Sequence, residues 1–121
     1  MINGEDRNVL YEFIKLDMAI RSLQQDYSSL EKLKMSKIYI HIVEDLLKNI
    51  RNDFYNKRRV LTKKNIAVVK WVNVDEYFSD VIIKTAGEDE VLRYAKQALK
   101  AQVEELIHSR LTSFSGCSNT R

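Results

Sequence analysis

Proline is absent from the whole chain, and glycine occurs only at Gly4, Gly87 and Gly116. Proline would remove a ladder hydrogen bond and glycine would add backbone entropy, so nothing between Gly4 and Gly87 interrupts a long helix. The apolar pattern agrees. Val9, Phe13, Leu16, Ile20, Leu23, Tyr27 and Leu30 step by four and three alternately, which keeps one stripe on one helix face. This predicts a first helix from about Asp6 to Tyr27. Ser28 and Glu31 form a Ser-x-x-Glu capping pair and predict a fresh helix start at Ser28, although the unbroken stripe through Leu30 is also compatible with one kinked helix.

The predicted second helix, Ser28 to about Arg59, carries Met35, Ile38, Tyr39, Ile42, Val43, Leu46, Ile50 and Phe54 on a broad face. Two such helices with a short joint fold back as an antiparallel hairpin, because each must bury its stripe against something nearby. The period then changes to two. Ile66–Val74 and Tyr77–Thr85 are short, rich in β-branched and aromatic residues, and predict a β-hairpin through Asp75-Glu76. That pair contains neither glycine nor asparagine, so a loop longer by one residue on each side is expected.

Two strands alone are marginal, so the hairpin must lie on the helices or pair with a second copy. Core packing of Trp71, Tyr77 and Phe78 is favoured over an exposed aromatic platform, with Val69 and Trp71 on one strand face. Glu88, Asp89 and Glu90 suit the first turn of a third helix, Glu88–Ile107, faced by Leu92, Ala95, Leu99, Val103 and Leu106. The polar remainder, 108–121, reads as a mobile tail beyond a single compact domain, 1–107. The expected class is α+β, mainly helical, in the order ααββα.

With 45% hydrophobic and 31% charged residues, the chain excludes wholesale disorder and collagen-like repeats. One cysteine, Cys117, excludes an internal disulfide, fits a reducing compartment and reads as an inert thiol. The first residues show no basic region followed by an apolar run, and no stretch approaches the length that crosses a membrane. A cytoplasmic location is expected. The 12 lysines, 11 isoleucines and 8 asparagines follow A/T-rich codons and suggest a low-GC bacterium or a phage.

Charge is uneven. Between Lys48 and Lys64 lie Lys48, Arg51, Lys57, Arg58, Arg59, Lys63 and Lys64 against the single acid Asp53. With Tyr55 among them, these residues form a candidate nucleic-acid surface together with the adjacent hairpin. Bases in a last helical turn also complement the helix dipole, which is the plainer explanation.

Enzyme signatures are poor. Asp75, Glu76, Asp80 and Lys84 lack the spacing of a metal-dependent nuclease, and Asp75 and Glu76 belong to a turn. His41 with Glu44 and Asp45 is at best half a metal site, and His108 offers less. There is no phosphate loop, nucleophile elbow or Cys-x-x-Cys. No cofactor and no metal is expected. The expected function is therefore a small non-enzymatic interaction or regulatory protein acting by surface contact, as a homodimer or with another protein partner. Leu10, Ile14 and Met18 beside the first stripe, and Leu47 beside the second, are the expected dimer interface.

Overall fold

The computed structural model describes residues 2–119, and side chains as far as residue 113. The elements are α1 (Gly4–Leu30), α2 (Ser36–Lys63), β1 (Ala67–Asn73), β2 (Phe78–Lys84), β3 (Asp89–Ala95) and α3 (Lys96–Asn119). The protein is α+β and mainly helical, with an antiparallel sheet in the order β1-β2-β3.

Three of the helix ends have a local cause. Asn3 Oδ1 accepts the N–H of Asp6, and Glu5 and Asp6 face the positive end of the α1 dipole. The capping pair expected at Ser28 does not form: the Ser28 hydroxyl donates to the Gln25 carbonyl, and α1 runs on to Leu30. Residues 31–35 then turn through bonds such as Leu33 N to Leu30 O at 3.1 Å, and two separate helices result. At the far end of α2, Asn65 adopts φ 60°, a conformation asparagine tolerates better than most residues. Asn65 N donates to Thr62 O and Ile66 N to Leu61 O, so the end is a Schellman motif with its usual apolar contact between Leu61 and Ile66. The helix thus extends past Arg59, where it was expected to stop.

The hairpin forms with the longer loop. Asp75 Oδ1 accepts the N–H groups of Tyr77 and Phe78 at 2.8 and 2.9 Å, an Asx turn that stands in for a glycine turn. A register shift between Val68 and Lys70 breaks the expected alternation in β1. Trp71 consequently packs against the core while Val69 is 54% exposed. Tyr77 and Phe78, also expected in the core, are 66% and 39% exposed.

The expected helix start at Glu88 is overturned, because residues 89–95 form a third strand. Paired with β2, they alternate strictly: Glu90, Leu92 and Tyr94 turn toward the helices, and Val91 and Arg93 turn away. Glu90 is fixed there because its Oε2 accepts the Ile2 N–H at 2.8 Å. On the outer face Arg93 donates twice to Asp80, so the guanidinium holds that carboxyl below its usual range.

Two apolar clusters hold the layers together. Leu10, Ile14, Leu61, Ile66, Val81, Ile83, Leu92 and Leu99 join the sheet to the first half of α1. Leu16, Ala19, Ile20, Leu23, Leu46, Leu47, Ile50 and Val103 join the three helices. α3 runs beyond Ile107, and Arg110 reaches Asn49 and Asp53 at 2.7 and 2.6 Å, so this part of the expected tail is helix docked on α2. Cys117 lies outside the described side chains.

Candidate interaction surface

The expected dimer interface lies inside the protomer. Leu10, Ile14 and Leu47 are 0%, 2% and 5% exposed and belong to the two core clusters, while Met18 is half-buried between them. The reason is geometric. α1 passes between α2, α3 and the sheet, so both apolar stripes of α1 find partners in their own chain.

Exposed large apolar side chains occur on the sheet, among them Val69, Val72 and Val91, and in a row at the start of α2. Met35, Ile38, Tyr39 and Ile42, spaced by three, one and three, are 53%, 51%, 43% and 42% exposed, and Leu33 just before them is 47% exposed. This spacing is one helix face, turned partly aside from the face that buries Leu46, Leu47 and Ile50. The apolar spacing places Met35, Ile38, Tyr39 and Ile42 on the same broad face as Leu46 and Ile50, because periodicity shows which residues share a face and not where its partner ends. On the side of α2 away from the stripe, the Tyr27 hydroxyl donates to Glu44 Oε2 at 3.0 Å, which raises the tyrosine pKa and ties α1 to α2. His41 Nε2 lies 3.5 Å from Asp45 Oδ2, so the imidazole has a carboxylate neighbour on its own helix. Among the described residues no group of three or more His, Cys, Asp or Glu could hold a metal ion.

The basic residues of 48–64 are partly drawn into the chain's own contacts. Lys64 Nζ meets Asp6 Oδ1 at 2.6 Å, and that bond raises the lysine pKa and pins the end of α2 to the start of α1. Lys57 lies 3.8 Å from Asp53, which Arg110 also binds, and Arg59 donates to Asn56 Oδ1 at 3.1 Å. Tyr55, Arg58, Arg59, Thr62 and Lys63 line one shallow groove along α2. Lys48 is exposed, and Arg51 lines a shallow pocket with Gln24, Tyr27 and Glu44. Asp75, Asp80 and Lys84 are not brought together: Asp75 caps the hairpin turn, Asp80 holds Arg93, and Lys84 pairs in register with Asp89.

A cleft of about 370 Å³ opens between α1, the sheet and the start of α3, lined by Asp17, Arg21, Trp71, Tyr94 and Lys96 among others. Its charged groups are already engaged. Arg21 lies 3.3 Å from Asp17, and Lys96 Nζ donates to Asn73 Oδ1 and the Asp75 carbonyl. Tyr94 stacks on Tyr11 with ring centroids 5.6 Å apart, and burial raises its pKa.

The fold is a helical hairpin closed by a three-stranded meander and a third helix, with several large apolar side chains left exposed near the start of α2. The chain belongs to the YhjD protein family, which it matches over residues 1–114. No curated protein and no solved structure matches it. Among the described residues, no helix is long and apolar enough to cross a membrane.

Proposed function

We propose that this chain is a non-enzymatic interaction protein, working in the cytoplasm, whose contact face is the stripe Met35, Ile38, Tyr39 and Ile42 on α2. One observation carries the reading. Four large apolar side chains in helical register, each more than 40% exposed, form a contiguous patch of the kind that marks contact sites on small proteins. Scattered exposed apolar residues need no explanation, but a register-aligned row does.

Photo-crosslinking in cells tests this. A photoreactive residue at position 38 should yield discrete protein adducts, and one at the exposed position Gln97 on α3 should not. No adduct at position 38, or equal adducts at both positions, would end this reading.

A second reading is favoured by the groove at the other end of α2, where Tyr55 is 50% exposed beside Arg58, Arg59 and Lys63. An aromatic ring interleaved with bases suits a nucleic-acid backbone and its bases. Setting aside Lys57 and Lys64, which pair internally, and the partly buried Arg51 leaves Lys48, Arg58, Arg59 and Lys63 as exposed contacts. Four neutralised phosphates would give duplex DNA a logarithmic salt slope of about −3.6, at about 0.9 for each contact. A slope near zero, or no binding at low salt, would eliminate this reading.

A further inference from the structure

We infer that the free edge of β3 pairs with the same edge of a second copy of this chain, antiparallel about a two-fold axis at Val91, so that the two meanders join into one continuous sheet. The backbone supplies the first argument. Lys96 N–H donates to the Tyr77 carbonyl, and the Glu88 carbonyl accepts from Thr85 N–H. Successive strand residues turn their backbone groups to opposite sides, so residues 88, 90, 92, 94 and 96 face β2, and 89, 91, 93 and 95 face away from it. Ala95 immediately precedes α3, and its carbonyl is taken by the first helical bond. The usable edge is therefore Asp89, Val91 and Arg93, centred on Val91.

This edge is open and regular. A groove lined by Arg7, Tyr11, Leu92 and Arg93 runs beside it, and Val91 is 59% exposed. β3 pairs with β2 over all 7 of its residues without a shift. The opposite edge, β1, is interrupted by its register shift between Val68 and Lys70, a bulge of the kind that blocks edge pairing.

Side chains select the same register. On the sheet face away from the helices, Lys84 stands opposite Asp89, Ile82 opposite Val91, and Asp80 opposite Arg93. With the axis at Val91, Asp89 of each copy lies opposite Arg93 of the other, and Val91 lies opposite its own counterpart. Each flanking row, from β2 of one copy to β2 of the other, then reads Lys84, Asp89, Arg93, Asp80, with charges alternating. The row on the axis reads Ile82, Val91, Val91, Ile82 and is apolar throughout. An axis at Arg93 would set guanidinium against guanidinium, and an axis at Leu92 would set Val91 against Arg93 and lose both matches. Arg93 binds Asp80 through Nε and Nη2, which leaves Nη1 for the carboxylate of the other copy. The sheet packs near the far end of α2, at Leu61, so this contact is separate from the stripe at the helix start.

Sedimentation equilibrium of the full chain across micromolar concentrations tests the inference, with twice the 14.2 kDa chain mass expected. Val91→Pro should give the single-chain mass with an unchanged far-UV spectrum, because the N–H it removes points away from β2. Asp89→Lys, at an exposed position, should weaken association on the order of tenfold, since two cross-axis pairs turn from attractive to repulsive. In a Cys117→Ser background, Val91→Cys should cross-link two chains under mild oxidation and Arg93→Cys should not. Hydrogen-bonded strand partners have Cα atoms about 5.5 Å apart, within disulfide reach. A single-chain mass throughout, a dimer indifferent to Val91→Pro and Asp89→Lys, or cross-linking at position 93 in place of 91 would each overturn the inference. The position-38 adducts test the α2 contact face separately.

Discussion

Ile50→Asp should leave no cooperatively folded protein, whereas Ile42→Asp, eight positions earlier on the same helix, should fold with a transition close to that of the unaltered chain. Ile50 is 0% exposed and packed among Leu16, Ala19, Ile20, Leu23, Leu46, Leu47 and Val103. Among the described residues no charged or polar side chain is buried, so a carboxylate at position 50 would find no partner. An uncompensated buried charge costs about 3–5 kcal/mol. The stability of a whole domain is about 5–15 kcal/mol, and a chain with one modest core belongs near the lower end.

Ile42, 42% exposed, already meets water, and aspartate there loses only partial apolar burial and some helix propensity, about 1 kcal/mol. Denaturant titrations followed by far-UV circular dichroism on dilute protein make the comparison, since association at higher concentration would itself add stability. Equal losses for the two variants would mean that the line between core and contact face on α2 is drawn in the wrong place.

That line is also where sequence reading reaches its limit. The order of the first four elements follows from residues that act locally: the 3/4 spacing of α1, the absence of proline, and the β-branched runs on either side of Asp75. Residues 89–95 were misread because three carboxylates before a short apolar run fit a helix start as well as a strand. The deciding interactions are long-range, namely the ladder to β2 and the bond from Ile2 to Glu90 across 88 positions. The Schellman end of α2 left a signal, Asn65 after a run of bases and before Ile66, that pattern alone did not weigh.

The candidate site was half legible. Its residues were recognised as one apolar helical face, yet both the expected burial of Met35, Ile38, Tyr39 and Ile42 and the expected exposure of Leu10, Ile14 and Leu47 were reversed. Which stripe stays open depends on where α1 ends and how α3 lies against the hairpin. Both depend on tertiary packing, which periodicity does not encode.

If the stripe is the working contact face, Met35 and Tyr39 should be shielded in the cell although the chain itself leaves both about half open. Hydroxyl-radical footprinting in intact cells, read residue by residue, measures this directly, because methionine sulfur and the tyrosine ring both report access to solvent. The account predicts that Met35 and Tyr39 are modified several-fold more slowly in the unaltered protein than in Ile38→Asp, while Tyr77 at the hairpin tip, 66% exposed, reacts at the same rate in both. Equal rates at Met35 and Tyr39 in the two proteins would show an uncovered stripe and contradict the account.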